Sequence, residues 1–430
     1  MSKQRKLMTG AVTAIIIVII VGASVYYFWH LQPAAPETIK IGVVDYTDIP
    51  TGRDPVIAAQ LAAEEINAQG GVLGRQLEIV WGNNRNDITE TSSIVQRMIT
   101  VDKVVGIIGP VMAECTFAAQ EICMDNKVIF FTSQPVDAVC TKVAQDYNRY
   151  KYTFRTLNNV TTFTRNYLYN WRFIVENYLI PRYGEARLAV VMEAEKAYDF
   201  PYTLLTQNLS LYFPPQTKIV YSCRYPITTT DFTSILHSIK DSGANGVVLG
   251  ITYSEAIIFA KQYRELGLKA IAGGTVTPAQ SIHWYNQTEG AGEYFFTNTN
   301  VLPIGHTPKN LPFINKFRER VGDEPTFTGT GAYDAVYILA AAIERAGSLD
   351  PDAIVAELEK TDYLGVSYRI VFTSTHDLMV GEDYYKNEPV QYAYSHLIQW
   401  QDAKRVLVYP VKKPVWATTW ATSPIAIPSE

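Results

Sequence analysis

Short apolar runs alternate with helix-patterned stretches through most of this chain, and few folds accept that order. The runs are residues 39–44, 77–81, 104–108 and 128–131, then 188–192, 218–221, 246–249, 270–272 and 294–296. Several are apolar at successive positions, as in parallel strands covered on both faces. Between them lie amphipathic stretches. Residues 55–67 carry Ile57, Leu61 and Ile66 with Ala58 and Ala62, and end at Gly70-Gly71. Residues 255–266 carry Phe259, Tyr263 and Leu266 before Gly267. Gly after such a stretch is a helix stop. A repeating βαβα order predicts an α/β fold of doubly wound parallel sheets.

One sheet cannot hold all these strands. The polar, turn-rich region 147–164 separates two strand series, which predicts two Rossmann-like lobes. The helices expected at 308–321, 330–346 and 351–360 have little strand between them and would complete the first lobe. With 430 residues, 47% of them hydrophobic, each lobe can bury a core.

Ahead of the lobes stands an uncharged run, residues 7–29, preceded by Lys3, Arg5 and Lys6 and closed by Tyr26, Tyr27, Phe28 and Trp29. About 20 apolar residues span a bilayer core. The basic flank belongs on the cytoplasmic side and the aromatic end at the interface. The expectation is a cytoplasmic tail (1–6), a single-pass anchor (7–29) and a linker (30–37), with the body on the outer face of the membrane. Cleavage as a signal segment is the alternative, although the run exceeds a usual signal core.

Beyond residue 30 the chain holds 34 bases against 42 acids. That balance argues against a nucleic-acid partner. Cys115, Cys123, Cys140 and Cys223 lack metal-ligand spacing. They read as buried thiols, with a Cys115–Cys140 or Cys123–Cys140 bridge open in an oxidising compartment. His30, His237, His283, His306, His376 and His396 form no paired motif, and neither a nucleophile elbow nor a P-loop is present. No catalytic residue, metal site or cofactor is predicted.

Ligands of doubly wound sheets sit beyond the carboxyl ends of the strands. In the first lobe those tips are 45–53, containing Thr51, then 109–116, containing Ala113, Glu114 and Cys115, then 132–135, containing Ser133 and Gln134. In the second they are 193–199, ending in Tyr198-Asp199, then 252–255, with Thr252 and Tyr253, then Gly273-Gly274-Thr275. Hydroxyls, amides and helix-start N–H groups suit carboxylate or amide ligands. The same Ser, Thr and Asp residues also serve as helix N-caps.

The segments Ile39-Lys40-Ile41-Gly42-Val43-Val44 and Ala62-Ala63-Glu64-Glu65-Ile66-Asn67-Ala68-Gln69-Gly70-Gly71-Val72-Leu73-Gly74 are familiar in this order. So are Val105-Gly106-Ile107-Ile108-Gly109-Pro110, Thr230-Asp231-Phe232 and Gly331-Ala332-Tyr333-Asp334-Ala335. Over roughly residues 38–410 the chain resembles type I periplasmic solute-binding proteins, the leucine/isoleucine/valine and amide/urea group of ABC importers. The resemblance implies two lobes joined by three crossovers that close on a ligand. It implies lobe 1 at 38–155 and 293–375, lobe 2 at 156–292 and 376–410, and a tail at 411–430. It implies ligand contact by Tyr198 and by Thr252 or Tyr253, with Ser133 and Gln134 gripping the ligand backbone. The serine expected after Gly109-Pro110 is replaced by Ala113 or Glu114, and the acid expected opposite a ligand ammonium by Thr275. Either Glu114 serves instead or the ligand lacks an α-amino group. The implied function is capture of a small polar or amphipathic solute (amino acid, amide or related) for ABC permease subunits, without enzymatic turnover. The alternative is a membrane-tethered sensing ectodomain with a signalling partner.

Overall fold

The computed structural model describes residues 37–195, 198–386, 388–417 and 419–426. The expected anchor lies outside the described residues. Among the described residues no helix is long and apolar enough to cross a membrane.

The first sheet holds β1 (Ile39–Asp45), β2 (Leu77–Asn83), β3 (Gly106–Ile108), β4 (Ile129–Thr132) and β5 (Thr153–Arg155), all parallel, in the order β2-β1-β3-β4-β5. The second holds β6 (Ala186–Glu193), β7 (Thr217–Tyr225), β8 (Gly246–Ile251), β9 (Ile271–Val276) and β10 (Phe296–Thr299), also parallel, in the order β10-β9-β8-β6-β7. Both orders reverse direction after their first strand, as doubly wound sheets do. A small hairpin, β11 (Asp362–Leu364) and β12 (Arg369–Val371), stands apart. Antiparallel β13 (His396–Gln401) and β14 (Lys404–Tyr409) then extend the second sheet beside β10.

Each apolar run predicted as a strand overlaps one, although the run 104–108 does so only from Gly106 and the run 294–296 only at Phe296. Two assignments change. The region 147–164 is not only a separator, because it contains β5, whose Thr153, Phe154 and Arg155 are wholly buried. The strand β10 pairs with β9 and β13, so the chain returns to the first lobe after Thr299 and not from residue 293. Alternation of apolar runs shows that a strand exists but not which sheet receives it.

Helices cover the sheets. The helix α1 (Pro50–Ala68) starts five residues before the expected position, with Pro50 in its first turn, where a missing N–H is harmless. Pro55 cannot donate to the carbonyl of Thr51. That carbonyl accepts from Thr328 Oγ1 instead, at 2.7 Å. Following it are α2 (Ile88–Arg97), α3 (Ala113–Asp125), α4 (Ala138–Gln145), α5 (Val160–Ile174), α6 (Asp199–Gln207), α7 (Thr233–Asp241) and α8 (Glu255–Glu265). The late helices α9 (Asn310–Val321), α10 (Phe327–Ala346) and α11 (Pro351–Leu358) pack on the first lobe. There the N–H of Thr326 donates to Asp54 at 2.8 Å, and the Tyr333 and Tyr337 hydroxyls both donate to Glu65 of α1.

Three crossovers join the lobes: one after β5, one after β10, and one leading into β13. They meet at two buried side chains, Asn158 and Ser395, and the half-buried Asn300. Ser395 Oγ donates to Asn300 Oδ1 at 2.9 Å and accepts from Asn158 Nδ2 at 3.1 Å, and Asn158 also reaches Asn300 at 3.4 Å. The segment 411–426 does not trail free. Its backbone N–H groups at Ser423 and Ala426 bind Leu407 and Gln399 of the second sheet, and the Thr419 hydroxyl binds Ile304 beside the second crossover.

The four cysteines are free thiols, three of them buried. The reading as thiols fits this, and neither of the two possible bridges is present.

Candidate functional site

Both β5 and β10 enter their crossovers from their carboxyl ends, and β13 begins opposite Thr299 at that same edge of the second sheet. The carboxyl edges of the two sheets are therefore turned towards one another across the hinge. Each edge has its switch point between its first strand and the neighbour on the other side: β1 and β3 in one lobe, β6 and β8 in the other. This is where doubly wound sheets hold ligands.

At the first switch point β1 ends in Asp45, buried among apolar strands. Its Oδ1 accepts the N–H of Tyr46 at 2.9 Å and of Val111 at 3.3 Å, the latter from the loop after β3. Burial pushes its carboxyl up to about 7, against the pull of those two N–H groups. Met112 then leads into α3 with extended backbone, so Ala113 and Glu114 open that helix. Ala113 is half-buried and Glu114 exposed. Cys115 is buried, with its sulfur 3.9 Å from Met112 Sδ. Gln134 is likewise occupied: its Nε2 donates to the Val111 carbonyl and its Oε1 accepts from Val136 N–H at 3.1 Å. It braces the loop that follows β3. Ser133 beside it is buried, and Thr51 is half-buried in the first turn of α1.

At the second switch point β6 ends in Glu193, also wholly buried. Its Oε1 accepts the N–H of Thr252 at 2.7 Å and of Tyr253 at 3.3 Å, from the loop after β8. Burial and the neighbouring Glu255 carboxyl push it up to about 7. Tyr198 is buried at the start of α6, and its hydroxyl lies 2.9 Å from Thr252 Oγ1. Gly250 leaves room for that ring; a Cβ there would stand 2.8 Å from two of its carbons. Tyr253 projects outward.

Thr275 departs from its expected setting. It lies inside β9, buried, with Oγ1 3.3 Å from Asn298 Oδ1. Gly273 and Gly274 are strand residues, not a tip loop. A Cβ on either would fall 2.2 Å from the Phe296 carbonyl oxygen or 2.4 Å from that of Leu249. The close approach of neighbouring backbones explains these glycines.

Four large apolar side chains stand exposed on the segments that follow strands: Ile49 in the first lobe, and Phe200 (in α6), Ile227 and Tyr253 in the second, between 40% and 51% accessible. Polar loop backbone and apolar rim together suit an amphipathic molecule. Among the described residues no group of three or more His, Cys, Asp or Glu could hold a metal ion. Sequence reasoning passed over Asp45, Glu193 and Glu255 as site residues. An acid closing a largely apolar strand in each lobe was the available signal.

A sequence profile described as periplasmic binding protein matches residues 38–385. A protein of Brucella abortus (strain 2308) named Leu/Ile/Val-binding protein homolog 7 is 25% identical over 376 residues, covering 84% of this chain and 87% of its own. A putative branched-chain amino acid ABC transporter structure from Silicibacter pomeroyi superposes with a TM-score of 0.77 at 19% identity, covering 90% of this chain and 99% of its own. The isoleucine complex of the branched-chain amino acid transporter substrate-binding protein LivJ from Streptococcus pneumoniae gives a TM-score of 0.68 at 20% identity, covering 86% and 98%.

Proposed function

The chain belongs to the periplasmic binding protein family, and from that premise we propose that it captures a small polar or amphipathic solute between its lobes and hands it to ABC permease subunits. The observation that carries this reading is the pair of switch points, each with hydroxyl side chains at its loop tips, held opposite each other by a three-stranded hinge. Polar groups at a loop tip orient a ligand and an apolar rim gives it affinity. The Brucella relative named for Leu, Ile and Val, and the structure bound to isoleucine, favour a ligand with a branched aliphatic part. The exposed Ile49, Phe200, Ile227 and Tyr253 fit that part.

The contacts proposed on the first lobe are Thr51, the α3 start at Ala113 and Glu114, and Ser133. Those on the second are Thr252 and Tyr253, with Tyr198 as a wall behind them. Thr275 provides no charge for an ammonium, and Glu114, exposed at the helix start, is the acid proposed for it on the first lobe. Residues 7–29 would tether the lobes to the outer face of the membrane, near the permease, as the basic flank and aromatic end favour. Lobe 1 then comprises 38–155 with the late helices, and lobe 2 comprises 156–299 with the final strands.

The test is a thermal-shift screen of the full chain against amino acids, amides, urea and aromatic acids, followed by calorimetry on each hit. The expected result is one site per chain with micromolar or tighter affinity. Absence of any shift across those four classes would overturn the reading.

A further inference from the structure

The two switch points carry the same device. Asp45 and Glu193 are the last residues of the first strand in their respective sheets. Each gives one carboxyl oxygen to two backbone N–H groups, at least one of them from the loop after the next strand across the switch point. The distances are 2.9 and 3.3 Å in the first lobe and 2.7 and 3.3 Å in the second. In each the rest of the carboxyl is also buried: Oδ2 of Asp45 has no hydrogen-bond partner among the described residues, and the Glu193 carboxyl meets that of Glu255. A buried carboxyl is costly in either lobe, yet the same arrangement is present in both.

We infer that Asp45 and Glu193 are a matched pair of positioning residues that hold the two ligand-facing loops, 109–112 and 252–254, in register for closure on the solute. The inference rests on the cleft reading above. A charge-assisted bond to a backbone N–H is roughly twice as strong as a neutral one, so the hold depends on ionisation. Facing Asp45 is the Cys115 thiol, with Asp87 and Glu114 further out around that sulfur. Facing Glu193 are Glu255 from α8, Tyr225 from β7, and Tyr198 and Tyr253 from the tip itself. The nearby Arg224 is engaged by the Glu193 backbone carbonyl and by Asp199. Acidification through about 7 neutralises both carboxyls and loosens both loops. Ligand affinity then falls with falling pH.

The experiment has two arms on the full chain. In the first, amide resonances of Val111, Thr252 and Tyr253 are followed against pH by NMR, without ligand. The wild type should titrate with a midpoint near 7, Asp45→Asn should abolish the change at Val111, and Glu193→Gln should abolish it at Thr252 and Tyr253. Amides that stay flat in the wild type overturn the inference. In the second, L-isoleucine affinity is measured in mildly acidic and mildly alkaline buffer. The double variant should bind about tenfold more weakly at alkaline pH, because a neutral amide oxygen holds each loop less firmly than a carboxylate does, and should lose the wild type's pH dependence. Unchanged affinity and pH profile in the double variant also overturn it. Failure of the wild type to bind isoleucine would count against the ligand class proposed above, and the amide arm alone would then decide this inference.

Discussion

Ser395 Oγ donates to Asn300 Oδ1 at 2.9 Å, so one hydroxyl ties the second crossover to the third. The same oxygen accepts from Asn158 of the first crossover at 3.1 Å and from Asn166 of α5 at 3.2 Å. One donor and two acceptor positions are all a hydroxyl has, and all are used. Ser395→Ala leaves the Asn166 amide without that partner inside the hinge, while Asn158 and Asn300 keep only their 3.4 Å bond to each other. Each buried orphan costs about 1–3 kcal/mol. The variant should lose at least about 1 kcal/mol in urea denaturation. A loss too small to measure would show that the three crossovers are held by packing alone.

Gly250 and Tyr198 share one space. A methyl on Gly250 would stand 2.8 Å from the tyrosine ring and 3.0 Å from Met192 Cγ. The ring, next to a tip loop, is the part able to move, and its movement breaks the contact with Thr252. Overpacking of this kind costs about 1–3 kcal/mol. Gly250→Ala should therefore weaken binding of the screened ligand more than Tyr198→Phe, which removes only the hydroxyl. Calorimetry on both variants checks the order. Equal affinities would remove Tyr198 from the cleft wall.

Much of this architecture was legible in the apolar runs, because a strand buried on both faces must be apolar throughout. The unread parts have physical reasons. The strand β5 has Phe154 as its one large apolar residue, and its strand character comes from pairing with β4 and from Asp377, far along the chain, which neutralises Arg155. Gly273-Gly274 resembled a binding loop, but the glycines answer to the carbonyls of Phe296 and Leu249, which no local pattern reveals. Asp45 and Glu193 lay in plain view at the ends of apolar strands. Their partners are N–H groups some 60 residues away, so their role appeared only with the topology.

Arg155 is completely buried and meets Asp377 at 3.1 Å, while its second terminal nitrogen donates to the Val136 carbonyl at 2.6 Å. Asp377 also accepts from Asn159 at 2.8 Å, at the start of the first crossover. Breaking a buried pair from one side costs about 3–5 kcal/mol, because the remaining charge has no counter-ion. Arg155→Met should lose that much, and Arg155→Met with Asp377→Asn should recover a large part. Denaturant titration of the two variants distinguishes this from simple loss of packing, which the second substitution would not repair.

The thiols offer a direct check on the core. Cys115, Cys123 and Cys140 are buried and Cys223 is half-buried. Burial raises all four, Cys140 to about 12, so little thiolate is present at neutral pH. Thiolate is the reactive form. An aromatic disulfide reagent should count four thiols in denaturant and at most one, slowly reacting, in the native protein. Fewer than four in denaturant would mean that a bridge forms after all.

Asp334 sets a pH dependence with a definite sign. It lies in α10, fully enclosed, and both its oxygens accept the N–H of Val366 at 3.1 Å. Burial pushes it up to about 7, although that N–H and Lys309 pull the other way. The ordinary unfolded value is about 3.9. Between the two, the folded chain binds more protons than the unfolded one, so stability falls as pH rises through that window and levels off above it. Asp45 and Glu193 act in the same sense. Asp334→Asn keeps an oxygen for Val366 and removes the buried charge. It should leave stability near that of the wild type at about pH 4 and raise it by more than about 1 kcal/mol, the worth of roughly one pKa unit, at about pH 8. Urea denaturation at the two values reads the difference directly. A variant less stable than the wild type at the higher pH would show that the carboxylate, once formed, is held by partners stronger than the burial that opposes it.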